Sequence, residues 1–280
     1  MSLRQRVSSG IVFGIVMIVS TILNNITCLL IYILMGILSV KELNNLLFNS
    51  KKQYRLVLNL SLYLLFILFM FLPQVVDKQY IMFYIPLAFV FLFVPELYTK
   101  STKPFTNIAY SCLMLIYIGL PVGTISYVVL FSDIESVRFY ILSILLLVWA
   151  NDVFAYFTGS AIGKTKLFER ISPNKTWEGT FGGITGCLGV GALLCYVFSN
   201  VYEIGLEEDM FFWFGLAVVS SVSAIFGDLI ESLFKRSVGI KDSGYFLPGH
   251  GGVLDRFDAF LFAAPLSLFY ILFYYQVFSS

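Results

Sequence analysis

Residues 232–258 read SLFKRSVGIKDSGYFLPGHGGVLDRFD, a stretch that gathers Lys235, Arg236, Lys241, Asp242, Asp255, Arg256 and Asp258 around His250, the only histidine of the chain. It stands in a sequence that is 59% hydrophobic and only 12% charged. Just upstream, Asp228 and Glu231 interrupt an apolar run. Charges near membrane depth are expensive, so they face a partner, an ion or a water-filled cavity. A mixture of basic residues and carboxylates suits phosphate chemistry: lysines and arginines hold phosphates, and carboxylates hold a divalent cation that bridges them.

Outward from this stretch, the chain reads as an all-α polytopic membrane protein. Apolar runs approaching the roughly 20 residues that cross a bilayer core recur along it. About nine such segments are expected, at residues 7–23, 26–40, 56–72, 81–94, 105–131, 139–157, 177–198, 211–230 and 257–278. The first two are short and compatible with a re-entrant hairpin. The fifth is expected to bend near Gly119, Pro121 and Gly123. Arg4 and Arg6 precede the first segment as in a signal peptide, but no A-x-A-like site follows, so a retained span is expected. Cys28, Cys112, Cys187 and Cys195 all lie in apolar runs without a C-x-x-C, which argues against a disulfide framework or a zinc site.

Net charge is +1, so bulk electrostatics points to no partner, and no nucleic acid is expected. The distribution of charge says more. With a cytoplasmic N-terminus, all of the 18 lysines and arginines except Lys78 and Arg138 fall on the cytoplasmic side, including a basic loop with Lys41, Lys51, Lys52 and Arg55. The acidic run Glu203, Glu207, Glu208 and Asp209 falls outside. Two charged loops, 158–176 and 232–256, then share the cytoplasmic face and are expected to build one site. Residues 141–280 would form the catalytic region, and residues 1–140 a scaffold that offers dimer contacts.

Gly249, Gly251 and Gly252 flank His250 in a turn whose backbone N–H groups can approach a phosphate. Alone such a turn would be a weak signal, since Gly and Pro also simply make loops. Asp255 and Asp258 follow, three apart at a helix start and therefore on one face. Asp228 can add a third carboxylate, and three converging carboxylates suit a metal ion. Ion pairing with Arg256, Lys235 or Arg236 is the plainer alternative, compatible with metal binding. In the other loop, GSAIGKT departs from Walker spacing by one residue and follows an apolar helix rather than a strand, so a Walker fold is rejected. Lys164, Lys166 and Lys175 are candidate triphosphate contacts, against plain positive-inside anchoring. Asp152 sits near the end of an apolar helix, where an interhelical hydrogen bond would equally explain it.

Residues 232–258 resemble the signature of phosphatidate cytidylyltransferases, also called CDP-diacylglycerol synthases: S-x-apolar-K-R, four residues, K-D, a Gly-containing spacer, L-P-x-H-G-G, two residues, D-R-x-D. Every fixed position is matched, from Ser232 through Lys235, Arg236, Lys241, Asp242, Leu247, Pro248, His250, Gly251 and Gly252 to Asp255, Arg256 and Asp258. Upstream, ISPNKTWEG with Asn174, Lys175 and Thr176 is similar to the family's I-S-P-x-K-T-x-E-G, with Asn174 at a position that is often Lys. The resemblance runs from about Trp149 to the C-terminus; the first 140 residues match only in being apolar. It implies that CTP and phosphatidate give CDP-diacylglycerol and pyrophosphate in phospholipid biosynthesis, in a bacterial-type cell (inner) membrane. It further implies Mg²⁺, with room for a second, monovalent cation, and a homodimer. The carboxylates matching Asp228, Asp255 and Asp258 are the family's metal-linked positions, and Lys241, Asp242, His250 and Arg256 join Asp255 and Asp258 in its catalytic set. His250 would bind phosphate rather than act as an obligatory acid. Two competitors remain: a CTP-dependent kinase acting on a polyprenol or phytol, and an ion-coupled transporter.

Overall fold

The computed structural model describes residues 3–48, 53–71, 84–132, 134, 137–200, 209–240, 243–244 and 251–278. Within a bilayer no water is at hand for backbone N–H and C=O groups, so apolar runs satisfy them internally as helices. The chain accordingly folds as α1 (Leu3–Leu23), α2 (Asn25–Phe48), α3 (Gln53–Phe71), α4 (Tyr84–Leu97), α5 (Pro104–Met114), α6 (Leu120–Phe131), α7 (Val137–Ile162), α8 (Trp177–Asn200), α9 (Met210–Ser237) and α10 (Leu254–Phe278). Asn24 separates the first two helices and caps α2, its Oδ1 accepting the Thr27 N–H at 2.9 Å. Asp209 does the same for α9, accepting from Phe212 N–H at 2.9 Å.

Among the described residues, seven helical stretches are long and apolar enough to cross a membrane: Asn25–Phe48, Gln53–Phe71, Pro104–Phe131, Val137–Ile162, Trp177–Ser199, Met210–Ser237 and Leu254–Val277. The protein is thus an all-α, multi-pass membrane protein. The first and fourth expected spans correspond to helices too, but their described apolar parts are shorter: Ser9–Leu23 in α1 and the 14 residues of α4. The bend expected near Gly119 takes the form of a π-helical turn, Leu115–Gly119, with Pro121 opening α6. The wider turn accommodates a residue that has no N–H to donate.

Three sequence expectations need correction. Loop 158–176 is not a plain loop: α7 runs on to Ile162, and β1 (Lys166–Phe168) pairs antiparallel with β2 (Ser172–Thr176) in a small hairpin. Residues 232–237 are not loop either, because α9 continues past its apolar stretch through Lys235 and Arg236. Lys41 and Arg55 lie on α2 and α3 rather than in a basic loop, and Arg55 is buried and ion-paired with Glu96. Hydropathy marks where lipid ends, whereas Leu, Glu, Lys and Arg all continue a helix readily beyond it.

Helices α7, α8, α9 and α10 pack on one another around Trp213, which stacks on Phe198 at 5.4 Å, while the Tyr140 and Tyr275 hydroxyls meet at 2.6 Å. Helices in lipid gain little from apolar burial alone, so such packing and interhelical hydrogen bonds, including Ser220 to Ser267 at 2.8 Å, set the arrangement. In the N-terminal half α2 is central, touching α1, α3, α6 and α10. Its Tyr32 ring stacks on Phe260 of α10 at 5.4 Å, joining the two halves. The C-terminal ends of α2, α7 and α9 and the start of α10 meet at one end of the molecule, where the charged residues collect.

Candidate active site

Asp228, Glu231, Ser232 and Lys235 follow one another at helical spacing on the last turns of α9, so they share a face. The first turn of α10 carries Asp255 and Asp258 towards it. Carboxylate oxygens of Asp228, Glu231 and Asp258 lie within 4.8 Å of one another. Glu231 and Asp258 are buried. Lys235 pairs with Glu231, and Lys175 of the hairpin pairs with Asp228. Ser232 Oγ donates to Asp228 Oδ1 at 3.4 Å. Among the described residues, Glu231 Oε1 receives no hydrogen bond. Three converging carboxylates, two of them buried and Asp228 half-buried, with an unsatisfied oxygen among them, could hold a hard divalent cation.

Asp255 is differently employed. It accepts from Lys235 Nζ at 3.0 Å, from Ser243 N–H at 2.9 Å and from Gly252 N–H at 2.8 Å. Gly251 between them has φ +83°, and a Cβ there would stand 2.5 Å from Asp255 Oδ2. Only glycine fits that turn. The cluster of the structure is therefore Asp228, Glu231 and Asp258, with Asp255 beside it as the residue that folds the turn. The sequence reading did not place Glu231 in the carboxylate cluster, although its position three residues after Asp228 in an apolar run was the available signal.

Two cavities open beside the cluster. The larger, of about 520 Å³, lies between α7, α8, α9 and the hairpin and is lined by Asp152, Asn174, Lys175, Thr176 and Asp228, among others. The smaller, of about 220 Å³, lies between α1, α7 and α10, with Gly14, Trp149, Asp152, Asp255, Arg256 and Asp258 in its walls. Asp152 borders both. Asp228 faces the larger and Asp258 the smaller, so the carboxylate trio sits where the cavities adjoin.

The structure thus gathers Asn174, Lys175, Thr176, Asp228, Ser232, Lys235, Gly251, Gly252, Asp255, Arg256 and Asp258 in one region. Arg236 is exposed and ties α9 to the hairpin, its Nε donating to Ile171 O at 3.5 Å. Lys164 and Lys166 are exposed and line neither cavity; the Lys164 and Thr165 amides instead donate to Glu178 at 3.1 Å, fixing the hairpin to the start of α8. Lys241, Asp242, Gly249 and His250 lie outside the described residues.

Along most of its length the chain is similar to known proteins. The family model described as the cytidylyltransferase family matches residues 4–275. A protein of Bacillus subtilis (strain 168) named phosphatidate cytidylyltransferase is 32% identical over 277 residues, 95% of this chain and 97% of that protein. Proteins of the same name from Staphylococcus aureus (strain COL) and Staphylococcus epidermidis (strain ATCC 12228 / FDA PCI 1200) are 38% and 40% identical over 168 and 171 residues, each match covering 60% of either chain. With almost its whole length accounted for, the chain belongs to the cytidylyltransferase family.

Proposed function

We propose that this chain transfers the cytidylyl group of CTP to phosphatidate, giving CDP-diacylglycerol and pyrophosphate for phospholipid synthesis. The observation that carries this reading is the carboxylate trio placed between two cavities, one bordered by Lys175 and the other by Arg256. A volume of about 520 Å³ is within the range of small-molecule sites, and the hairpin cavity is assigned to CTP. The smaller cavity, next to Trp149 of α7 and Gly14 of α1, is assigned to the lipid phosphate.

In the reaction a phosphatidate oxygen forms a bond to the α-phosphorus of CTP as the bond from that phosphorus to the β-phosphate oxygen breaks, and pyrophosphate carries away the electron pair. The attacking phosphate is already anionic, so no general base is required. The barrier lies in bringing two anions together in line. Lys175, with Asn174 and Thr176, holds the triphosphate. Arg256 orients the lipid phosphate, and Lys235 keeps Asp255 and Glu231 in place. Asp228, Glu231 and Asp258 would hold Mg²⁺, which would supply positive charge to offset the negative charge of the phosphates. On the family resemblance, His250 is assigned a hydrogen bond to the departing pyrophosphate, with Lys241 and Asp242 nearby in sequence. A homodimer in a bacterial cell membrane, with the site facing the cytoplasm, completes the reading; the distribution of lysine and arginine supports that orientation.

The test is label transfer. Purified protein given phosphatidate, Mg²⁺ and CTP labelled in the cytidine ring should deliver label to lipid, while label in the γ-phosphate should appear in pyrophosphate. EDTA should stop the transfer and added Mg²⁺ restore it. Entry of the γ-label into lipid would mean a kinase, and retention of both labels in water would refute the proposal.

A further inference from the structure

Glu42 lies on α2, 211 residues before the turn that it touches. Its Oε1 accepts the Val253 N–H and its Oε2 the Leu254 N–H, each at 2.9 Å, and Ser243 Oγ donates to Oε2 at 3.3 Å. Leu254 opens α10. The first amides of a helix have no partner within it and carry partial positive charge, so an anion there is favourable. A polar side chain just ahead of the helix normally serves. Here that place is held by Val253, whose side chain carries no acceptor, and a carboxylate from the opposite half of the chain caps the helix instead.

Two further observations converge on the same carboxylate. A Cβ on Gly252 would stand 2.4 Å from Glu42 Oε2, and one on Gly244 would stand 2.9 Å from Glu42 Oε1. The chain approaches Glu42 so closely at both positions that a side chain would have to displace it. Asp255 meanwhile binds the amides of Ser243 and Gly252, residues that Glu42 also touches. The turn is therefore gripped from both sides, and through Asp255 the grip reaches Lys235 and Glu231.

We infer that Glu42 is a positioning residue for the transfer reaction: by capping α10 from α2 it fixes where Asp258 stands relative to Asp228 and Glu231. The N-terminal half then takes part in building the site, beyond serving as a scaffold. This rests on the cytidylyl-transfer reading for its kinetic consequence, though not for the clamp itself.

Full-length protein in detergent, as wild type, Glu42→Ala and Glu42→Gln, separates the possibilities. A helix cap and a charge-assisted contact are lost in Glu42→Ala, so kcat should fall about ten- to a hundredfold, with the KM for CTP changed less than about threefold. Glu42→Gln keeps one acceptor oxygen and nearly the same shape, so it should stay folded with an intermediate kcat. Amide exchange followed by mass spectrometry should quicken about tenfold or more in the peptide covering residues 251–258 of Glu42→Ala, and not in α7 or α8. A kcat within twofold of wild type in Glu42→Ala would overturn the inference. So would a Glu42→Gln variant that is folded but has both KM values raised and kcat unchanged. If wild type made no CDP-diacylglycerol, the proposed function would fall, while the exchange rates would still decide whether Glu42 clamps α10.

Discussion

Two clusters of charge stand out among the described residues, one fully buried and one only partly, and they are built on opposite plans. In the N-terminal half, Arg55 meets Glu96 in a two-armed pair, its Nη2 donating to Oε2 at 2.8 Å. Asn107 and Thr99 also donate to that oxygen, at 3.1 and 3.0 Å. Nearby, Asn59 bridges Asn44 at 2.8 Å and Ser111 at 2.7 Å. One cation faces one anion, and hydrogen bonds saturate the carboxylate. At the start of α10 the balance is different. Among the described residues, Asp152, Asp228, Glu231, Asp255 and Asp258 stand against Lys175, Lys235 and Arg256. Buried charge that serves structure is neutralised within the fold. On the proposed function, the charge that serves chemistry is left with an excess of carboxylate among the described residues that a bound cation would offset.

The largest expected effects test that contrast directly. Asp258→Asn should lower kcat about a hundred- to a thousandfold, as when one preorganised electrostatic contact to a reacting centre is removed. Resistance to unfolding should be unchanged or slightly improved, because three neighbouring carboxylates become two. Glu96→Ala should do the reverse. It strands a buried guanidinium and should destabilise the protein by about 3–5 kcal/mol, with near-normal kcat in the fraction that stays folded. Replacing both partners, Arg55→Met with Glu96→Leu, should return most of that stability. Unfolding in mixed detergent and turnover on the same preparations measure both. Equal losses of stability at the two sites would erase the distinction.

The same contrast explains what the sequence could and could not reveal. Helical spans were legible because a long apolar run has few other ways to satisfy its backbone in lipid. The gathering of Asp228, Asp255, Arg256 and Asp258 in one region was legible because these residues are conspicuous in so apolar a chain. Helix ends were not, since α9 continues through charged residues that leave lipid without leaving the helix. Arg55 looked like one more loop cation, and nothing local points to a partner 41 residues away. Glu42 was invisible for the same reason: beside Lys41 it reads as an ordinary helix-end charge, and its partners lie 201 to 212 residues on. The hairpin was hidden as well, being only 3 and 5 residues in its strands and held by the Glu178 contacts at its base.

A middle-sized effect probes the border between the clusters' two plans, at Lys175. This cation is half-buried and already paired with Asp228, yet it lines the larger cavity. If its work is to receive a triphosphate, Lys175→Ala should raise the KM for CTP about ten- to a hundredfold, the value of one charge-assisted contact, and leave the KM for phosphatidate alone. If it serves only to neutralise Asp228, both substrates should be affected alike. Varying each substrate in turn distinguishes the two.

The smallest effects come from a pair of serines, one in each cluster. Ser111 Oγ donates to Asn59 Oδ1 at 2.7 Å inside the closed network, whereas Ser232 Oγ reaches Asp228 Oδ1 only at 3.4 Å at the edge of the open one. The first bond is short and buried. Deleting it leaves an amide oxygen without its donor, so Ser111→Ala should destabilise by about 1–2 kcal/mol without touching either KM. The second bond is long, and Asp228 keeps Lys175 as its partner. Ser232→Ala should therefore leave stability within about 0.5 kcal/mol of wild type. It also removes a hydroxyl that steadies a carboxylate of the trio, so the Mg²⁺ concentration needed for half-maximal turnover should rise a few-fold, about what a lost neutral hydrogen bond supplies. A Ser232→Ala variant that unfolded more easily yet kept its Mg²⁺ requirement would place this serine with Ser111, in the structural class, and would move the boundary of the site one turn back along α9.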